Sequence, residues 1–337
     1  MERYSRQTRV AQIGGEGQQR IGAATVLVVG CGALGTHLAD ALVRAGVGRL
    51  WLVDRDVVEW SNLQRQVLFT EADAAAGLPK ATAAAQRLRE VNSTVEITGN
   101  VADCSLAFLD ELPTRPDVVL DGTDNFATRY LLNDWCARER RPWIYAGATG
   151  VEGAAMVVPV GGPCLRCLWP EPPAAADVGT CETAGILAPA IGAVTAFQVA
   201  ETLKLLVGAA PTRGVFTCDV WRGSYQVVPV AVQPSADCPT CSGTSYPALL
   251  EPPASAVTLC GRDAVQVDPP RRHDVDLDAL ARRLGDHVAR LERTPHLLRF
   301  EADGCRFSVF QGGRALLFGV QDPLRARALY DRWIGLS

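Results

Sequence analysis

Histidine is scarce in these 337 residues: there are four, His37, His273, His287 and His296. That scarcity argues against a histidine-built metal centre or a catalytic triad. Charge of one sign is also lacking, since 33 Lys+Arg against 37 Asp+Glu leaves a net of -4. Such a balance argues against a surface that coats nucleic acid, and no nucleic-acid partner is expected. Long apolar runs are missing too. The longest beyond the first hundred residues, Thr183 to Ala200, is broken by Pro189 and Gly192. A bilayer span needs about 20 apolar residues, so the run reads as a buried helix and no membrane association is expected. The start, Met1-Glu2-Arg3-Tyr4-Ser5-Arg6-Gln7, places charges where an export signal has its apolar core, so a cytoplasmic protein is predicted.

What is present is globular: 48% hydrophobic and 21% charged residues, enough apolar surface to exclude wholesale disorder. The length exceeds one domain of roughly 150 residues. Thr25-Val26-Leu27-Val28-Val29-Gly30 is a continuous β-branched run ending in glycine, the pattern of a strand buried on both faces. Leu34 to Ala45 has helical spacing, and Arg49 to Asp54 reads as the next strand. A helix over Lys80 to Val91, strands at Val95 to Gly99 and Asp117 to Gly122, a helix over Phe126 to Glu139 and a strand at Trp143 to Ala146 continue the alternation. This alternation predicts an α/β fold, a Rossmann-like, mostly parallel sheet with helices on both faces.

Beyond Gly150 the pattern becomes mixed. Strand-like segments at Ala154 to Pro159, Val215 to Val220 and Tyr225 to Val230 surround a long apolar helix, Gly185 to Val207. Trp169 to Gly179, rich in Pro and Gly, is predicted to be a mobile loop. The expected organisation is a domain over 1–248, with a nucleotide-binding part near 20–150 and a mixed β part near 151–248. A linker follows over 249–256, then a small α+β unit over 257–337 reading β-α-β-β-β-α.

Gly30-Cys31-Gly32-Ala33-Leu34-Gly35 matches G-x-G-x-x-G between a strand and a helix. Gly30, Gly32 and Gly35 would let phosphate oxygens approach backbone N–H groups at a helix N-terminus. Asp54 closes the second strand, where a carboxylate can accept from a ribose hydroxyl. Taken alone, these features fit an NAD-dependent dehydrogenase equally well. The polar run from Asp54-Arg55-Asp56 through Ser61-Asn62-Leu63-Gln64-Arg65-Gln66 discriminates. So do Gly77-Leu78-Pro79-Lys80 and Asp121-Gly122-Thr123-Asp124-Asn125. Any one of these charges alone would be an ordinary surface residue, and Asp121 could simply cap the helix after it. Together, an arginine, a lysine and an aspartate beside a phosphate loop suit a triphosphate with magnesium, which hydride transfer does not need.

These motifs resemble the MoeB/ThiF family of ubiquitin-activating-enzyme-like adenylyltransferases, over roughly residues 3 to 245. The resemblance implies ATP-dependent adenylation of the C-terminal Gly-Gly carboxylate of a ubiquitin-like sulfur carrier protein, releasing pyrophosphate. It implies Asp54 on the ATP ribose, with Asn62, Arg65 and Lys80 on the phosphates and Gln66 beside them. Asp56 and Asn125 fall in the same nucleotide-binding runs. Asp124 corresponds to the aspartate associated with magnesium and catalysis. Arg6 resembles an arginine that reaches the partner subunit's ATP site, which implies a homodimer.

Of eleven cysteines, four form Cys164-Leu165-Arg166-Cys167 and Cys238-Pro239-Thr240-Cys241. Each C-x-x-C is a chelating turn, and two can close a tetrahedral structural zinc site; reactive dithiols or unpaired buried cysteines are the alternatives. The same pairs occur in the resembled family, which favours zinc. Cys181, between the Pro/Gly-rich segment and the apolar helix, could take part in acyl or sulfur transfer as in some members, or have no chemical role. Cys31, Cys104, Cys136 and Cys218 read as packed residues. Cys260 and Cys305 lack a glycine- and arginine-rich anion cradle, so the C-terminal unit does not read as a rhodanese and a separate sulfur donor is expected. The rival readings are adenylation of another peptide C-terminus in natural-product assembly and a non-catalytic nucleotide-binding scaffold; a dehydrogenase ranks last.

Overall fold

In the computed structural model, residues 2–172, 185–230, 233–250, 256–259 (backbone only), 264–268 and 275–335 are described. The chain divides into two units, Met1–Ala74 with Leu78–Glu251, and Ala75–Gly77 with Pro252–Ser337.

The first unit opens with two 3-10 turns, Glu2–Tyr4 and Gln7–Arg9, and helix α1, Gly14–Ala23. Then come β1 (Thr25–Val29), α2 (Ala33–Ala45), β2 (Arg49–Asp54), α3 (Glu71–Ala76), α4 (Lys80–Val91) and β3 (Glu96–Val101). They are followed by α5 (Leu106–Asp110), β4 (Val118–Asp121), α6 (Phe126–Arg138), β5 (Trp143–Thr149) and β6 (Glu152–Val158). The unit ends with α7 (Leu165–Leu168), α8 (Ala188–Val207), β7 (Val215–Asp219), β8 (Ser224–Val228), α9 (Pro239–Ser242) and α10 (Pro247–Leu250).

The eight strands form one sheet in the order β3-β2-β1-β4-β5-β6-β7-β8. Pairs from β3 across to β5 are parallel, and those from β5 to β8 antiparallel. The β-branched run of β1 follows from burial on both sides. Val26 and Val28 pack in the core formed with α2, α4 and the inner face of α8, while Leu27 and Val29 pack with α5 and α6. Strand order reverses between β1 and β4, the crevice where open α/β sheets take their ligands.

Helix α8 is long and apolar enough to cross a membrane, yet it lies along β5, β6 and β7 and against α2. It starts at Ala188, three residues later than the sequence predicts, because Pro189 is suited to a first helical turn, where its missing N–H costs nothing. The predicted loop over Trp169 to Gly179 lies mostly outside the described residues.

The second unit is a six-stranded sheet in the order β11-β12-β13-β14-β10-β9. Its elements are β9 (Ala256–Leu259), β10 (Ala264–Val267), α11 (Leu277–Leu284), β11 (Ala289–Arg293), β12 (Leu297–Ala302), β13 (Cys305–Phe310), β14 (Ala315–Phe318) and α12 (Pro323–Trp333). It therefore carries two strands more than the sequence predicts. A hairpin turn joins β12 to β13 at Asp303 and Gly304, both with positive φ. Phe300 and Phe307 stack across that hairpin, 4.6 Å between centroids, and anchor a core closed by α11 and α12.

Candidate active site and cysteine cluster

Two glycine contacts shape the crevice between β1 and β4. Gly30 sits at φ +90°, and a Cβ there would stand 2.6 Å from the Gly122 carbonyl oxygen. A Cβ on Gly35 would stand 1.7 Å from the Gly30 carbonyl oxygen. Only hydrogen at both positions lets α2 begin directly against the end of β1. Gly32 is the N-cap of α2, leaving unpaired N–H groups of the first turn directed at the loop.

Asp54, at the end of β2, stitches this loop to its neighbours. Its Oδ2 accepts from the Cys31 N–H at 2.6 Å and its Oδ1 from the Asp56 N–H at 2.6 Å. Each oxygen keeps a lone pair for a ligand hydroxyl. Burial pushes the Asp54 carboxyl above its usual range, with Lys80 acting against the shift. Lys80 is buried at the first residue of α4, its ammonium 3.3 Å from Asp56 Oδ2 and its N–H on the Asp56 carbonyl. Burial also holds the Cys31 thiol well above its ordinary value, so this cysteine is a packed residue of the loop.

Asn62 is buried with Oδ1 accepting from the Glu59 N–H. Gln66 Nε2 lies 3.9 Å from where a Cβ on Gly32 would stand. Gln66 Oε1 is buried with no hydrogen-bond partner, a polar group that bound ligand or water must satisfy. Arg65 is half-buried, with Nη1 on the Ser61 carbonyl at 2.8 Å. Gly30, Gly32, Gly35, Asp54, Asp56, Gln66 and Lys80 thus meet around one loop.

The β4 end differs from the sequence reading. Asp121 caps nothing: it is fully buried and pairs with Arg129, Nε to Oδ2 at 3.0 Å. Asn125 caps α6 instead, its Oδ1 accepting from the Thr128 N–H at 2.9 Å. Asp124 is exposed, on the loop between β4 and α6. Arg6 stands apart from this site. Next to it, Gln7 donates to the Ala45 carbonyl at the far end of α2, about 20 Å of helix from the loop. Cys181 lies outside the described residues.

Sequence reasoning missed Arg129 and Gln198. Arg129 also donates to the carbonyls of Thr123 and Ala146, both at 2.9 Å. Gln198, on α8, donates to the Asp121 carbonyl at 3.0 Å. Both are polar residues within otherwise buried helical faces, and that interruption was the available signal.

The four cysteines converge from two segments. Cys164 and Cys238 sulfurs are 3.6 Å apart, as are those of Cys167 and Cys241, and all four lie within 4.8 Å of one another. Tetrahedral zinc with Zn–S bonds of about 2.3 Å needs S···S separations of about 3.8 Å, so the cluster fits zinc. Among the described residues, Cys136, Cys218 and Cys305 are buried and Cys104 half-buried, all unpaired.

The sequence profile of the ThiF family matches residues 4–240. A sulfur carrier protein ThiS adenylyltransferase of Bacillus subtilis is 41% identical over 335 residues, 99% of each chain. The adenylyltransferase and sulfurtransferase MOCS3 of Sus scrofa is 43% identical over 242 residues, 71% of this chain and 52% of that protein. The SAMP-activating enzyme E1 of Haloferax volcanii is 40% identical over 243 residues, covering 72% and 88%. Among solved structures, E. coli MccB with ATP superposes at a TM-score of 0.60 with 22% identity, covering 72% of this chain and 74% of that one. At that identity the likeness concerns the fold.

Proposed function

This chain belongs to the ThiF family and is an adenylyltransferase, and from that premise we propose that it adenylates the C-terminal Gly-Gly carboxylate of a ubiquitin-like sulfur carrier protein, using ATP and releasing pyrophosphate. The observation that carries the reading is the gathering of Lys80, Asp54 and Gln66 around a glycine loop at the strand-order reversal. The alignment to a ThiS adenylyltransferase along the whole of both chains supports it. It also favours a carrier over a free peptide, because the likeness to MccB concerns the fold.

In this reading the carrier carboxylate attacks the α-phosphorus. An O–P bond forms as the bond to the pyrophosphate oxygen breaks. The nucleophile is already ionised, so no general base is required, which agrees with the scarcity of histidine. The chemical problem is anion meeting anion, and fixed cations solve it. Asp54 takes the ribose. Asn62, Arg65 and Lys80 take the phosphates, with Gln66 beside them. Asp56 orients the Lys80 ammonium, and Asn125 holds the start of α6 next to Asp124. Magnesium, when bound, neutralises charge on the phosphate oxygens. Asp124, exposed on the loop between β4 and α6, is the residue assigned to hold it.

Arg6 acts in the site of a second copy of the chain, as its distance from its own crevice supports. A groove of about 610 Å³ between α2 and α8, lined by Ala41, Val67, Ala196, Val199 and Leu203 beside His37 and Asp40, offers a mostly apolar face for such a homodimer. Zinc in the Cys164, Cys167, Cys238 and Cys241 cluster is structural, because four thiolates leave no open coordination position. Sulfur arrives from a separate donor, with Cys181 as a candidate acceptor of the activated acyl group; Cys305 is buried and unsuited to that role.

The test is ATP–pyrophosphate exchange with the purified protein, with and without Gly-Gly carriers, alongside Asp124→Ala. Carrier-stimulated exchange that disappears in the variant is expected. Exchange stimulated by a short peptide but by no carrier would overturn the assignment of substrate.

A further inference from the structure

Asp134, on α6, has no exposed surface, and a buried carboxylate persists only where donors surround it. Its Oδ1 accepts from Arg166 Nε at 3.1 Å, Thr240 Oγ1 at 2.8 Å and Asn133 Nδ2 at 3.0 Å. Its Oδ2 accepts from Arg166 Nη2 at 3.1 Å and the Ala248 N–H at 2.9 Å. Five donors exhaust the roughly four lone-pair sites of a carboxylate.

The partners are placed with a symmetry of their own. Arg166 and Thr240 are each the third residue of a C-x-x-C turn, in Cys164-Leu165-Arg166-Cys167 and Cys238-Pro239-Thr240-Cys241. Both are buried. The turns lie on helices of four residues, too short to hold their own geometry. Neighbouring Asn133 extends the clamp, accepting from the Leu165 N–H at 2.8 Å and donating to Cys164 Sγ at 3.6 Å. One side chain of α6 thus fastens two chelating turns from distant parts of the chain.

We propose that Asp134 is a positioning residue that holds the two cysteine pairs at metal-binding spacing and so sets how long the cluster retains zinc. The inference rests on the zinc reading of that cluster. Groups that orient metal ligands commonly change metal affinity by 10- to 100-fold when removed.

The test uses the full chain. Zinc content is measured first, then the rate of zinc release to a chromophoric chelator for wild type, Asp134→Asn, Thr240→Val and Thr240→Ser. Thr240→Val keeps the volume and loses the hydroxyl; Thr240→Ser keeps the hydroxyl and loses volume. The expected order is release roughly tenfold faster in Thr240→Val, faster still in Asp134→Asn, and close to wild type in Thr240→Ser. Loss of packing alone would make Thr240→Ser the worse of the two Thr240 variants and would overturn the proposal. Wild-type rates in both Thr240→Val and Asp134→Asn would overturn it while leaving the zinc reading intact. A wild-type protein without zinc would overturn both. Should Asp134→Asn fail to fold, the Thr240 pair decides, because the Asp134–Arg166 ion pair is untouched in it.

Discussion

Arg129 and Asp121 form a buried ion pair, Nε to Oδ2 at 3.0 Å, directly behind the loop that carries Asp124. The same guanidinium reaches the Thr123 and Ala146 carbonyls, tying the end of β4 to β5. Removing one partner strands the other charge in the interior. Arg129→Met is expected to lower the unfolding free energy by about 3–5 kcal/mol, read by urea denaturation. A loss below about 1 kcal/mol would show that the loop is held by other contacts.

Gly35→Ala addresses the close approach of α2 to the phosphate loop. A Cβ 1.7 Å from the Gly30 carbonyl oxygen forces the helix start to move, at a cost of about 1–3 kcal/mol. The variant should melt lower and lose ATP binding in a calorimetric titration. Unchanged ATP affinity would mean that the nucleotide does not use this loop.

Lys80 offers a direct test of phosphate binding. Its side chain is only 5% exposed, so a bulkier guanidinium has no room and Lys80→Arg should not rescue Lys80→Met. Both variants are expected to lower ATP–pyrophosphate exchange by about 10²-fold or more. Full exchange in either would remove Lys80 from the site.

The antiparallel edge of the sheet offers an exposed surface on which carrier docking can be tested. All five residues of β8 are exposed, and Trp221 before it is 79% exposed with Tyr225 at 58%. Aromatic anchors of this kind dominate interfaces. Trp221→Ala with Tyr225→Ala should raise the carrier concentration for half-maximal exchange roughly tenfold and leave the KM for ATP unchanged. A changed KM for ATP with unchanged carrier dependence would reject the surface.

Alkaline titration checks the packing around α6 and α12. Burial pushes the Tyr130 hydroxyl up to about 12, with Arg166 opposing, and burial likewise pushes Tyr330 to about 12. In the unfolded chain each ionises near 10. Between about pH 10 and 12 the unfolded chain has lost protons that the folded chain keeps, so stability falls as pH rises. Tyrosinate absorbance should show a late-titrating class that shrinks in Tyr130→Phe. Titration of every tyrosine near 10 in the folded protein would contradict the burial.

Much was legible in the sequence, and for a physical reason. Apolar runs, the glycine spacing before α2 and the two C-x-x-C turns are local patterns, because strand burial, tight turns and chelation act over a few residues. What the sequence alone could not reach were partnerships between strand ends and helices far apart in the chain. That Asp121 pairs with Arg129 rather than capping a helix depends on β4 ending beside β5. That Arg6 lies at the opposite end of α2 from the phosphate loop depends on how the first turns fold back. That Asp134 joins two cysteine turns depends on α6 lying under both. No periodicity reports such neighbours; sheet order and layer packing decided them, because buried charge must find its partner wherever the fold brings one.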